Sequence, residues 1–110
     1  MDESPSLLGH ESEILLRRLD GHLAALRLER DATEYAIAER LADALRRLVT
    51  ETGFASAADR ARVRAAVHYF VLRPRGDRRV LRPIAEDARV VNEILRLLDR
   101  ADLMVRLTPA

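Results

Sequence analysis

Cysteine, lysine and tryptophan are absent from this chain of 110 residues, and these absences exclude several kinds of site. Without cysteine there is no disulfide framework, no thiolate nucleophile and no zinc site built on thiolates. Aromatic residues make up 4% of the sequence, which disfavours a surface on which nucleic-acid bases stack. All 19 positions that carry lysine or arginine carry arginine, whose planar donor group suits carboxylates and phosphates. Codon bias in a GC-rich genome is the alternative explanation for this preference.

Long apolar runs are missing as well. No run approaches the roughly 20 residues that cross a bilayer, so no transmembrane helix is predicted. The amino terminus begins Met1, Asp2, Glu3 and lacks the basic and then apolar order of a signal peptide, so we expect a cytoplasmic protein of bacterial type. With 48% hydrophobic and 34% charged residues, positions 1–110 are predicted to form a single globular domain.

Apolar residues recur at spacings of three and four in four separate stretches, which is typical of amphipathic helices. The repeats run through Leu16, Leu19, Leu23 and Leu26, then Ala38, Leu41, Leu45 and Leu48, then Val63, Val67 and Phe70, and finally Ile84, Ala88, Val91, Leu95 and Leu98. They predict an all-α fold, a small bundle of four to five helices. In it a helical hairpin at about 11–51 packs with a carboxy-terminal helix pair at about 56–99, and residues 1–9 are expected to be flexible.

Helix boundaries are marked by capping residues and prolines. Asp31 and Ser56 are each followed three residues later by an acidic residue, which predicts the amino-terminal caps of the second and third helices. Pro74 ends the third helix, because the residue before a proline resists the helical conformation. Pro83 suits the start of the last helix, where a missing N–H does no harm.

The longest run without a charged side chain, at 65–72, lies within the third helix. A helix that is apolar on every side belongs in the middle of a fold, where its neighbours cover it. The run therefore predicts that the third helix is the central one, sheathed on all sides by the others.

Charge is distributed unevenly along the chain. Residues 1–55 carry 7 arginines and 11 acidic residues, a net charge of −4, whereas residues 56–110 carry 12 and 7, a net charge of +5. A loop at 73–82 concentrates the positive charge in Arg73, Arg75, Arg78, Arg79 and Arg82. These five are the candidates for binding a protein partner or an anion. The alternative is a solvated loop paired with Glu86 and Asp87.

Residues 63–72 (VRAAVHYFVL), 84–92 (IAEDARVVN) and 98–103 (LDRADL) resemble the YkvA-like helical domain, a family of unknown function. Members of that family have an alanine-rich helix, an acidic proline-rich loop and then a helix that contains an aspartate. In place of the family's Asp-Pro-x-Asp and Ile-Pro-Asp elements, this chain has Arg-Pro-Arg-Gly-Asp at 73–77, and only Asp87 matches the acid of the second helix. The resemblance implies a helical fold and no particular activity.

Three polar residues lie among apolar neighbours in the carboxy-terminal half. His68, Asp87 and Asn92 are predicted to form a buried polar clamp, because a buried charge needs a partner. The alternative is that His68 and Asp87 are the acid–base pair of an enzyme. No cofactor, metal or catalytic site is expected, because the sequence has no glycine-rich phosphate loop, no nucleophile elbow and no histidine pair at helical spacing.

These features favour a non-enzymatic helical module for protein interaction or scaffolding. The leucine content of the first two helices exceeds what a lone helix pair needs, which favours a homodimer. The partner is expected to be a second copy of the chain, another protein, or both. The alternative function is a regulator that binds nucleic acid or phosphate through the arginines of 73–82.

Overall fold

The computed structural model of the chain describes residues 4–52, 55–72 and 83–107. Within these ranges the backbone forms four α-helices and no strand: α1 (Ser4–Glu29), α2 (Ala32–Glu51), α3 (Ala57–Val71) and α4 (Ile84–Leu97), followed by a short 3₁₀ turn (Ala101–Leu103). The predicted all-α fold is confirmed. In the described ranges no helix combines the length and the apolar character that a membrane span requires.

Local capping chemistry sets the starts of α2 and α3 as predicted. The carboxylate of Asp31 accepts a hydrogen bond from the backbone N–H of Glu34 at 2.8 Å, and the hydroxyl of Ser56 accepts one from Asp59 at 3.1 Å. Each cap satisfies one of the N–H groups that have no partner inside a helix. The start of α1 differs from the prediction, because the backbone is already helical at Ser4, well before Glu11.

The core lies against α2, which packs on α1, α3 and α4. The buried side chains of α2 lie in two adjacent stripes along the helix. They are Ile37, Ala38, Leu41, Ala42, Ala44, Leu45, Leu48 and Val49. The molecule measures 48 × 33 × 19 Å, and its smallest extent equals two helix layers of about 10 Å each. A bundle two layers thick leaves the outer face of every helix in contact with solvent.

The prediction that the run at 65–72 is sheathed on all sides is wrong. α3 does contact the other three helices, but it buries only one face, with Val67 and Phe70 at its centre. Ala65 and His68 are exposed, and Leu72 at the end of α3 is 58% exposed. A stretch without charged residues need not be buried, because alanine and histidine tolerate contact with solvent.

The end of α4 turns the chain back onto the bundle. Asp99 adopts a left-handed conformation with φ of 61°, a conformation that most side chains avoid. Two backbone hydrogen bonds close the turn, from Asp99 N–H to the Arg96 carbonyl at 3.0 Å and from Arg100 N–H to the Leu95 carbonyl at 2.7 Å. This reversal places the following segment, including the buried Leu103, against α4.

Candidate functional site

The arginine loop at 73–82 lies outside the described residues. This holds for its five candidate residues, Arg73, Arg75, Arg78, Arg79 and Arg82, and for Pro74. Their role in binding a partner or an anion stays a prediction.

The three residues of the predicted buried clamp have different environments. Asp87, in the first turn of α4, is 3% exposed and is the one buried charged residue among those described, so its predicted burial is confirmed. The predicted burial of His68 is wrong, because the register of α3 turns this side chain to the solvent face. There its Nδ1 atom lies 3.1 Å from a guanidinium nitrogen of Arg18 on α1.

Asn92 anchors the carboxy-terminal segment rather than joining His68. Its amide nitrogen donates to the carbonyl of Val105 at 2.9 Å, and its amide oxygen accepts from the N–H of Val105 at 2.9 Å. One side chain thereby satisfies both backbone groups of a buried residue. Asn92 and His68 are thus held by different elements, and the structure does not bring them together through a shared contact.

A surface groove with a volume of about 270 Å³ lies between α1 and α3. We call it the α1/α3 groove. The residues that line it are His10, Glu11, Ile14, Leu15, Arg18, Arg64 and His68. A guanidinium nitrogen of Arg64 lies 3.3 Å from the carboxylate of Glu11, which links α3 to α1. Sequence reasoning missed this set, although two helical spacings pointed to it: His10, Ile14 and Arg18 on α1, and Arg64 and His68 on α3.

Another groove, which is wide open to solvent and has a volume of about 400 Å³, lies between α2 and the segment after α4. We call it the α2/C-terminal groove. The residues that line it are Arg40, Asp43, Ala44, Arg47, Asp102, Leu103, Met104, Val105 and Arg106. Buried apolar side chains of both elements, among them Ala44 and Val105, form its floor. Arginines and aspartates form its rim.

Both acids of the α2/C-terminal groove are already engaged by arginines. Asp43 accepts a hydrogen bond from Arg46 at 2.7 Å, and Asp102 accepts two from Arg100, at 3.0 and 2.9 Å. By contrast, no described residue forms an ion pair or a hydrogen bond with the guanidinium of Arg40 or of Arg106. The groove therefore presents unneutralised positive charge beside apolar surface.

Arg100 also ties the end of the chain to the end of α2. Its guanidinium lies 2.8 Å from the carboxylate of Glu51, which in turn lies 3.2 Å from Arg47. Hydrogen bonding to Arg100 lowers the pKa of both Glu51 and Asp102 below the ordinary values of those carboxyl groups. The same contacts, with Asp102 first and Glu51 second, raise the pKa of Arg100.

Metal-ligating side chains are dispersed over the described surface. Across residues 4–52, 55–72 and 83–107, no three histidine, aspartate or glutamate side chains are grouped so that they could hold a metal ion.

The chain matches no family model, no curated protein and no solved structure. The resemblance to the YkvA-like helical domain therefore stays a prediction.

Proposed function

We propose that this chain is a non-enzymatic helical interaction module that binds an acidic segment of a protein partner in the α2/C-terminal groove. The observation that carries the proposal is the pair Arg40 and Arg106, whose guanidiniums have no counter-ion among the described residues. A partner segment with carboxylates would neutralise these charges, and opposite potentials across an interface steer binding and fix its register.

The apolar floor of the groove supports a segment that alternates acidic and apolar residues. Leu103, Met104 and Val105 line the groove together with Arg40, Arg47 and Arg106. Apolar side chains of a partner would contact Met104, the half-buried apolar residue of the lining, while its carboxylates reach Arg40 and Arg106. Arginine clusters recognise acidic motifs in this way.

The walls of the groove are held in place before any partner binds. Asn92 fixes Val105 to α4 through two hydrogen bonds of 2.9 Å, and Arg100 links the same segment to Glu51 of α2. A preorganised site loses less conformational entropy on binding than a flexible one. This rigidity supports recognition of an extended segment with a defined register.

The electrostatics of Glu51 and Asp102 disfavour these two carboxylates as a general acid or base. A general acid or base works best when its pKa lies near the operating pH. Hydrogen bonds from Arg100 lower the pKa of Glu51 and of Asp102, which moves both groups away from neutrality. These carboxylates serve as fixed negative charges in an ion-pair network.

A direct test measures how tightly the chain binds a fluorescein-labelled peptide of ten alternating glutamate and leucine residues. We call this probe the Glu-Leu peptide. In fluorescence anisotropy we expect the double variant R40E/R106E to weaken binding by at least about tenfold, equivalent to about 1.4 kcal/mol. The matched control, R17E/R27E, makes the same charge change at two exposed arginines of α1 outside both grooves. Equal losses for the two double variants, or no loss for R40E/R106E, would overturn the proposal.

The module is also proposed to form a homodimer. The apolar stripe of α2 is buried within a single chain, so it supplies no surface for a second copy. The apolar side chains left for a second copy to cover include Leu28, Leu72 and Leu97, which are exposed to 89%, 58% and 65% at the ends of three different helices. Light scattering of the pure protein is expected to give twice the chain mass of 12.5 kDa, and a mass of one chain contradicts the homodimer.

The alternative proposal is a regulator that binds nucleic acid or phosphate through the arginine loop at 73–82. Its support is the sequence, which places five arginines in that loop. Titration with generic duplex DNA at low ionic strength separates the two proposals. Binding that falls steeply with salt and is lost when the loop arginines are replaced favours the regulator, whereas absence of binding eliminates it.

A further inference from the structure

The contact between Arg18 and His68 fixes which ring nitrogen of the neutral histidine carries the proton. A guanidinium nitrogen of Arg18 lies 3.1 Å from Nδ1 of His68. Arginine has only donors, so the neutral imidazole must accept at Nδ1 and carry its proton on Nε2. His68 lines the α1/α3 groove, and its Nε2–H is therefore an additional donor at that surface.

The arginines of the α1/α3 groove have donors to spare. A guanidinium carries five N–H groups. Among the described residues, Arg18 uses one of them on His68, and Arg64 makes a single 3.3 Å contact with Glu11. Both arginines line the groove, whose volume of about 270 Å³ is large enough for a small ligand group.

The charge in this groove is unbalanced. Arg18 faces an imidazole rather than a carboxylate, and the one acid of the lining, Glu11, is engaged by Arg64. With neutral histidines the lining therefore has one more positive than negative charge. An arginine that is held by a neutral acceptor keeps its full charge for a ligand.

We propose that the α1/α3 groove is a binding site for a phosphate monoester group, held by Arg64 and by Nε2–H of His68, while Arg18 at Nδ1 fixes the histidine tautomer and adds positive charge. Arg64 and His68 lie four residues apart on α3, so their donors share one face of the helix and can reach different oxygens of one phosphate. A carboxylate carries about half the charge of a phosphate monoester, so the guanidiniums of the groove attract it less strongly.

Glu11 gives the proposal a distinctive consequence. A phosphate that binds Arg64 must displace or repel the Glu11 carboxylate, which lies 3.3 Å from that guanidinium. Glu11 therefore acts as an internal competitor, and its neutralisation should strengthen binding rather than weaken it. A purely structural ion pair between Glu11 and Arg64 does not have this effect.

The intact chain is titrated with inorganic phosphate, adenosine monophosphate and a phosphoserine pentapeptide, and each binding affinity is measured by isothermal titration calorimetry. The pH is kept well above the second pKa of a phosphate monoester, which is about 6, and above the higher second pKa of inorganic phosphate. We expect R18Q and R64Q each to weaken binding by about tenfold and E11Q to strengthen it by several-fold. The matched controls are R17Q and E13Q, which change neighbouring exposed residues of α1 outside the groove and should leave affinity unchanged.

The choice of probes identifies the source of the phosphate. Tighter binding of the pentapeptide indicates a phosphorylated protein, tighter binding of the nucleotide indicates a nucleoside phosphate, and equal binding indicates the free group. Equal losses for R17Q and R18Q, no gain for E11Q, or acetate binding as tightly as phosphate would overturn the proposal. Unchanged phosphate binding by R40E/R106E is expected, because those residues line the other groove.

Discussion

At the scale of single residues, Asn92 has the clearest structural role. An amide carries both a donor and an acceptor, and Asn92 uses both on the backbone of Val105 at 2.9 Å each. Val105 is buried, so these backbone groups have little access to water. The sequence suggested a polar role for Asn92, but its partner lies beyond a chain reversal that no local pattern announces.

Replacing Asn92 by alanine is expected to destabilise the protein by about 2 kcal/mol, since two hydrogen bonds of about 1 kcal/mol each are lost and two backbone groups remain unsatisfied. The free energy of unfolding from urea titration measures this cost. The control is E93A at the neighbouring exposed position, where the change should stay within about 0.5 kcal/mol. Similar losses at both positions would contradict the anchoring role.

At the scale of helices and their connections, the helix boundaries that capping residues and apolar periodicity set could be predicted from the sequence. α2 runs from Ala32 to Glu51 as the sequence indicated, because Asp31 caps its start and its apolar period is unbroken. The left-handed turn after α4 gave no such signal, since Asp99 stands where glycine is usual. That turn directs the chain toward the α2/C-terminal groove.

The conformation of Asp99 provides a test at this scale. A φ of 61° is unfavourable for most side chains, least so for glycine, asparagine and aspartate. We expect D99V to lower the free energy of unfolding by about 1 to 2 kcal/mol, because a β-branched side chain is strained there. D99G should retain the stability of the natural chain. If valine and glycine have equal effects in urea titrations, the turn does not form as described.

The packing of helices against one another was harder to predict than their bounds. Periodicity identifies the buried face of each helix, but it does not say which two faces meet. The charge-free run at 65–72 therefore misidentified the central helix, whereas α2 holds that place because its apolar stripe is the widest. Likewise, the grooves combine residues such as Arg40 and Arg106 that are distant in sequence, so only the fold brings them together.

At the scale of the whole molecule, Arg100 links the end of α2 to the terminal segment, and this makes stability depend on pH. The pKa values of Glu51 and Asp102 are lowered in the folded chain. Their contribution is therefore full above the unfolded values of about 4 and is lost as the pH falls through the folded values. We expect the urea midpoint to be level from pH 5 to 7 and to fall below about pH 4.

The variant R100Q separates this network from the other carboxylates. Without Arg100, the pKa values of Glu51 and Asp102 should return toward their ordinary range, so the decline of the urea midpoint below about pH 4 should become shallower. High salt should reduce the difference between the two proteins, because the groups are exposed and screened. Parallel pH profiles for R100Q and the natural chain would contradict the assignment.

The central claim is that an acidic segment binds between α2 and the terminal segment. Its most direct test is a titration of the ¹⁵N-labelled chain with the Glu-Leu peptide, observed through backbone amide shifts. We expect the largest shifts at 40–47 and 102–106, with α1 little changed. Shifts spread evenly over the surface, concentrated on α1, or absent at saturating peptide would contradict it.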